Sequence, residues 1–155
     1  METSYTWKTR FFRSAFDISK YGEPAGELCS KGWKRKWEGT LNETRVNFEV
    51  KGFFDKDFLI LNPDDGSKLG NIVFNTWRTK ATITLNGKEY NWDYENWWHT
   101  KWVISNQNGN LIKYASGFKS GDILSYSEDN ILLLTGLFIR DYLQQRAAAT
   151  AAAAT

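Results

Sequence analysis

The sequence predicts an all-β fold: a closed or nearly closed barrel of about twelve short strands around one hydrophobic C-terminal helix. Three observations predict it. Apolar and polar residues alternate with period two over most of the chain, the mark of strands with one buried face. Turn signals recur at short, regular intervals. One late segment, Ile131 to Ile139, is apolar at nearly every position rather than along one stripe. A helix of that kind is buried on every side, and in a small chain of strands the inside of a barrel is the place that can enclose it.

Along the chain, Phe16-Asp17-Ile18 leads into a turn at Tyr21-Gly22. Leu41-Asn42-Glu43 marks the turn before the alternating run Val46-Asn47-Phe48-Glu49-Val50. Phe58-Leu59-Ile60 leads into Asp64-Asp65-Gly66. Thr82-Ile83-Thr84-Leu85 and Tyr90-Asn91-Trp92-Asp93-Tyr94 flank Asn86-Gly87, a two-residue hairpin signature because both positions must accept positive φ. Trp102-Val103-Ile104 leads into Asn108-Gly109. From Glu128 to Arg146 there is no Pro and one Gly. Ser127 or Asp129 can cap this helix, and Arg140 and Arg146 lie toward the end where cations are favoured. Gly136 stands mid-helix at a cost of about 1 kcal/mol relative to Ala, so a close approach to the barrel wall is expected there. Residues 147–155 are Ala and Thr only. They read as a low-complexity tail outside a single domain of residues 1–146.

The strands repeat. A shift of 44 positions, from Gly26 to Gly70, puts Trp33 on Trp77, Lys36 on Lys80, Leu41 on Leu85 and Phe48 on Trp92. It also sets Phe53-Phe54 on Trp97-Trp98 and Phe58 on Trp102. Each unit of about four strands cannot bury its apolar face alone, so the units belong to one sheet.

Composition narrows the function. Among 155 residues, 16% are aromatic, with Trp 8, Tyr 7 and Phe 10. Twenty basic against 18 acidic side chains leave a net charge of +2, without the cationic excess of a protein that neutralises many phosphates, so no nucleic-acid partner is expected. The single Cys29 allows no intrachain disulfide and no multi-cysteine metal site, which suits a reducing, cytoplasmic setting. The N-terminus lacks the apolar run of a signal peptide, and Ile131 to Ile139 is too short to span a bilayer.

The recurring strand-turn pattern, Phe16-Asp17-Ile18 with Gly22, Phe58-Leu59-Ile60 with Gly66 and Trp102-Val103-Ile104 with Gly109, together with the apolar helix over 128–146, resembles the tubby C-terminal-like superfamily. That group includes tubby proteins, phospholipid scramblases and LURP-one-related proteins, and the resemblance covers most of residues 5–146. It implies a roughly twelve-stranded barrel threaded by the helix, in a small bacterial-type member, and a membrane-proximal binding or scaffold role. The chain departs from scramblases in having no cysteine-rich run and no membrane-spanning tail. Glu128-Asp129 and Asp64-Asp65 are the paired acids, better read as a cap and a turn than as calcium ligands.

The sharpest motif is Trp-basic-x-basic, found at Trp7-Lys8-Thr9-Arg10, Trp33-Lys34-Arg35-Lys36 and Trp77-Arg78-Thr79-Lys80. On a strand, residues two apart share a face, so each copy sets Trp on one side and cations on the other. Lys8, Arg10, Lys34, Lys36, Arg78 and Lys80 are therefore the candidate lipid- or phosphate-binding residues, with Arg13, Lys101 and Lys119 extending the basic surface. The same pattern describes a solvated outer face that keeps strands unpaired, and the near-zero net charge favours that reading. The cluster Trp92, Tyr94, Trp97, Trp98 and Trp102, with Asn91, Asp93 and Asn96, suits sugar stacking. Its repeat partners Phe48, Phe53, Phe54 and Phe58 suit a core better. His99 is the only histidine, and Cys29, aligned with Val73, reads as a buried small hydrophobe. No nucleophile elbow, phosphate loop or dinucleotide fingerprint occurs. The reading is non-enzymatic and without cofactor: a module that binds anionic membrane lipids peripherally, with a protein partner as the alternative and a small apolar ligand or sugar inside the barrel as the second alternative.

Overall fold

A computed structural model describes residues 2–10, 15–31, 35–51 and 57–154. Twelve strands are followed by one helix: β1 (Thr3–Thr9), β2 (Ala15–Lys20), β3 (Glu23–Ser30), β4 (Lys36–Leu41), β5 (Thr44–Val50), β6 (Asp57–Leu61), β7 (Lys68–Phe74), β8 (Lys80–Leu85), β9 (Lys88–Tyr94), β10 (Lys101–Asn106), β11 (Gly109–Ser116), β12 (Ser120–Ser125) and α1 (Asn130–Ala154). Each strand pairs antiparallel with its neighbours in sequence, and β1 closes the barrel on β12 from Thr3↔Ser125 to Lys8↔Ser120.

Alternation does what the sequence predicts. Ile18, Phe48, Ile60, Ile83, Trp92 and Ile104 point inward and are fully buried, while Lys8, Asp17, Glu38, Asn91 and Lys113 occupy the exposed outer face. The repeat is visible as a shared irregularity. The pairings of β3 with β2, β7 with β6 and β11 with β10 slip by one residue, leaving Ala25, Leu69 and Leu111 as extra residues that bend the strand. Each freed carbonyl accepts a bond from the next hairpin, at Asn42 N (2.8 Å), Asn86 N (2.9 Å) and Tyr126 N (2.8 Å). Beside the first two bulges, Gly26 and Gly70 let the chain pass so close to the Thr40 and Thr84 carbonyls that a Cβ would collide with them.

The helix fills the barrel. Leu132 through Ile139 are all buried, as are Tyr142 and Leu143. Phe138 stacks flat on Phe48, with centroids 4.5 Å apart, and meets Trp37 edge-on at 4.9 Å. Burial of each such side chain contributes about 1.5–3 kcal/mol, and the wall side chains they cover gain as well. The start is set by Asp129, whose carboxylate accepts from Leu132 N (3.1 Å), and Ser127 Oγ in turn accepts from Asp129 N (3.1 Å). The helix therefore begins at Asn130 rather than at 128, and it continues past 146. Ala is the strongest helix former and nothing in residues 147–154 stops propagation, so the Ala/Thr stretch is helical although fully exposed.

Gly136 sits where the wall comes closest. Trp92 Nε1 (3.1 Å) and Trp102 Nε1 (3.2 Å) both donate to its carbonyl, and Tyr114 Oη donates to Leu133 O (2.8 Å). A Cβ on Gly136 would overlap the Tyr114 hydroxyl and ring. Gly136→Ala is expected to cost about 1–3 kcal/mol, the usual range for overpacking, and Gly136→Leu to prevent stable enclosure. Thermal melts check this. The cost of Gly136→Ala should shrink in a Tyr114→Leu background, because the colliding ring is then gone.

Candidate functional site

In an up-and-down barrel all odd-to-even connections lie at one end and all even-to-odd connections at the other. The two ends differ sharply in chemistry. Among the described residues, the odd-to-even connections carry the cations Arg10, Lys31, Arg35, Lys51, Arg78 and Lys119 against one acid, Glu95. The even-to-odd connections, with the segment leading into α1, carry Glu43, Asp64, Asp65, Glu128 and Asp129 and no Lys or Arg. The basic end also carries the exposed Trp and Phe rings, while the exposed tyrosines Tyr21 (84%) and Tyr126 (46%) lie at the acidic end. Trp77 (84% exposed), Trp97 (87%), Trp98 (79%) and Phe118 (95%) all project from its connections.

Local chemistry fixes these rings outward. Asn75 Oδ1 accepts from Thr79 N (2.8 Å) and Lys80 N (3.0 Å), and Arg78 takes φ 52°. Asn96 Oδ1 does the same for Thr100 N (3.0 Å) and Lys101 N (3.0 Å), and His99 takes φ 58°. One turn is thus built twice from Asn-x-Trp-(Arg/His)-Thr-Lys, at Asn75 and at Asn96. Its Trp, Trp77 or Trp98, stands at the tip. The strand reading of Trp77-Arg78-Thr79-Lys80 is therefore corrected: the Asn75 side chain folds residues 75–79 into a turn, and Trp77 faces solvent rather than the core. The aromatic cluster divides along the same line. Trp92 and Trp102 are core, whereas Trp97 and Trp98 are exposed. His99 stacks on Tyr94 with centroids 3.9 Å apart. Cys29, expected to be buried, is half-buried on the outer face, because it shares the outward register of Glu27; burial pushes its thiol up.

The five described sequence-predicted cations, Lys8, Arg10, Lys36, Arg78 and Lys80, share the basic end but are spread round the circumference, on β1, β4 and β8 and their flanks. Arg10 binds Asp17 through Nη2 (2.6 Å) and also Glu27, and the guanidinium holds the Asp17 carboxyl below its usual range. Lys36 lies near Glu49 (3.8 Å) and Glu38 (4.0 Å), and Lys80 near Asp93 (3.7 Å). Lys34 and Trp33 lie outside the described residues, as do Arg13 and Phe53-Phe54. Lys8 and Arg78 have no ion pair among the described residues, and the Nε of Arg78 is buried without a hydrogen-bond partner. Acids on the outer wall thus balance Lys36 and Lys80, and they also meet the turn-borne Arg10 and Lys31, the latter through Glu38 at 3.5 Å.

The helix emerges through the same end. Its last buried turn carries Arg140 and Asp141, about 100° apart round the helix and bonded to different parts of the wall. The Arg140 guanidinium lies 5.0 Å from the Trp102 ring centroid, and its Nη2 donates to Ser116 Oγ (3.3 Å). Asp141 Oδ2 accepts from Trp37 Nε1 (2.9 Å) and Gln145 Nε2 (2.9 Å). Sequence reasoning took Arg140 as a helix-dipole partner and missed its place at the barrel mouth. It also missed the Asn-x-Trp turn, whose 21-residue recurrence was visible in the sequence. Among the described residues no three His, Cys, Asp or Glu side chains are grouped to hold a metal ion. Among the described residues no helix is long and apolar enough to cross a membrane.

No family model matches the chain, and neither do the curated proteins or the solved structures.

Burial pushes the Asp141 carboxyl above its ordinary range, outweighing the bonds from Trp37 and Gln145 and the charge of Arg140. A raised folded-state value means that the protonated form is favoured in the fold. This contribution is complete below the unfolded value and lost as pH rises through the folded one. Asp141→Asn is therefore expected to raise the thermal midpoint at pH 7. That advantage should shrink as pH falls toward the ordinary carboxylate range, as melts across pH 3–7 would show.

Proposed function

We propose that the protein is a non-enzymatic peripheral-membrane module that meets anionic lipid surfaces end-on, through the aromatic, basic end of the barrel. The observation that carries this reading is the convergence of four exposed rings and the turn-borne cations on one end, with the acids gathered at the other. Trp is at home at the bilayer interface, where its ring is half in water and half in hydrocarbon. Each Lys or Arg near an anionic leaflet contributes about 1 kcal/mol. The acidic far end is repelled by the same surface, so the charge distribution also orients the barrel. Membership of the tubby C-terminal-like superfamily belongs to this proposal, supported by the barrel threaded by a helix. The outer wall is polar and the interior is filled by the helix, so neither offers an apolar ligand an equivalent surface.

The turn-borne rings and cations, rather than the strand-borne pairs, are expected to dominate. Trp77→Ser, Trp98→Ser and Phe118→Ser together should reduce cosedimentation with vesicles containing an anionic lipid at least tenfold. Lys8→Gln with Lys36→Gln should change it less than threefold. Retention should fall as salt rises past about 0.15 M, where the screening length is about 8 Å. Full retention of the triple variant sinks this reading. Wild-type protein that ignores anionic vesicles at low salt would leave the rim as a protein-docking surface instead.

A further inference from the structure

We propose that the mouth of the barrel holds a recognition site for a terminal phosphate group, centred on Arg140. The membrane reading above supplies one source for that phosphate, a lipid headgroup, but the site itself stands on different atoms.

Arg140 is a partly buried cation with no ion-pair contact among the described residues, although the charge of the adjacent Asp141 acts on it. Its guanidinium is held by the Trp102 ring and the Ser116 hydroxyl, and its Nε is buried with no hydrogen-bond partner. No carboxylate forms an ion pair with it among the described residues. The nearest in sequence, Asp141, lies about 100° round the helix and directs its carboxylate to Trp37 and Gln145. Arg10 and Arg45 are treated differently, Arg10 holding Asp17 and Glu27 and Arg45 holding Asp64 at 2.7 Å, whereas Arg78 shares with Arg140 a buried, unpartnered Nε. Burying an unpaired guanidinium costs stability, and burial indeed works against the Arg140 charge. An oxyanion supplied from outside removes that cost.

The surroundings favour phosphate. The guanidinium fork matches two oxygens of a tetrahedral anion. The Ser116 hydroxyl, beside the fork, donates to Gly117 O (3.0 Å) and can turn from it to donate to a third. The connection that follows Ser116 carries Lys119, whose ammonium lies 5.3 Å from the Phe118 ring centroid. A terminal phosphate has three unesterified oxygens to meet these donors, whereas a diester has two. The helix thus contributes a specific contact in the middle of a rim that otherwise attracts anions by charge alone.

The test uses two probes and vesicles. Glycerol 3-phosphate and a soluble short-chain phosphatidic acid are titrated while the NMR signals of Arg140 Nε–H and the Trp102 indole N–H are followed. Vesicles containing phosphatidic acid or phosphatidylserine are compared at equal charge. Wild-type protein should show both signals moving with either probe, and about tenfold preference for phosphatidic acid vesicles. Arg140→Met keeps the stem on Trp102, and should lose the Trp102 response and the preference while still sedimenting with both vesicle types. Arg140→Lys keeps the charge but not the fork, and should bind the soluble probes at least tenfold more weakly. Should Arg140→Met unfold, Arg140→Lys and Ser116→Ala carry the comparison. Unchanged probe binding in the folded variants, or unmoved Arg140 and Trp102 signals in wild type, overturns the site. If wild type fails on vesicles but responds to glycerol 3-phosphate, the membrane reading falls and the site stands, as one for soluble phosphate esters. If wild type and Arg140→Met sediment alike without preference, the reverse holds.

Discussion

The structure depends on the contact between one turn of the helix and three rings of the wall. Trp92 and Trp102 reach the Gly136 carbonyl and Tyr114 reaches that of Leu133. An apolar helix inside an apolar cylinder could slide or rotate at little cost, because hydrophobic burial has no direction. These bonds supply the direction. They fix the helix along the barrel axis and about it, and the missing side chain at Gly136 makes room for them. Everything at the mouth inherits its position from that lock, since Arg140 and Asp141 follow one turn later.

A second organising fact is that the barrel's two ends are chemically unlike while its wall is neutral and polar. Overall charge of +2 conceals this. Strand-borne cations face carboxylates on adjacent strands, as Lys80 faces Asp93, so the wall contributes little field. Arg10 and Lys31 in the turns also meet wall carboxylates, but among the described residues the turns of each end carry an excess of one sign. Topology converts a modest bias in turn composition into a polar object, because an up-and-down barrel sends alternate turns to opposite ends.

The strands, the enclosed helix and its close approach at Gly136 were legible in the sequence because each follows from periodicity or from one residue's steric limits. Phe48, Trp92 and Trp102 fall on the inward register and are buried as expected. The exposed rim was not legible, for a physical reason. Period-two alternation runs on through Trp77-Arg78-Thr79-Lys80, and hydrogen bonds of the Asn75 side chain and backbone turn that stretch out of the strand. The helix end was misjudged because an Ala-rich segment propagates a helix with no packing to hold it. Arg140 escaped notice because a cation near a helix terminus is ordinary until its surroundings are known.

Enclosure of the helix has a consequence for how the chain reaches this state. The element that fills the centre follows all twelve strands in the chain, and closure joins Thr3 to Ser125 across the whole sheet. Until residues 132–143 have left the ribosome, the strands have no interior to cover and their inward faces are exposed together. Assembly must then wait for the final segment and proceed with contacts of long sequence separation, the regime of slow folding. During synthesis the nascent sheet is an open, apolar, unclosed edge. The helix is thus the piece whose arrival times the closing of the barrel.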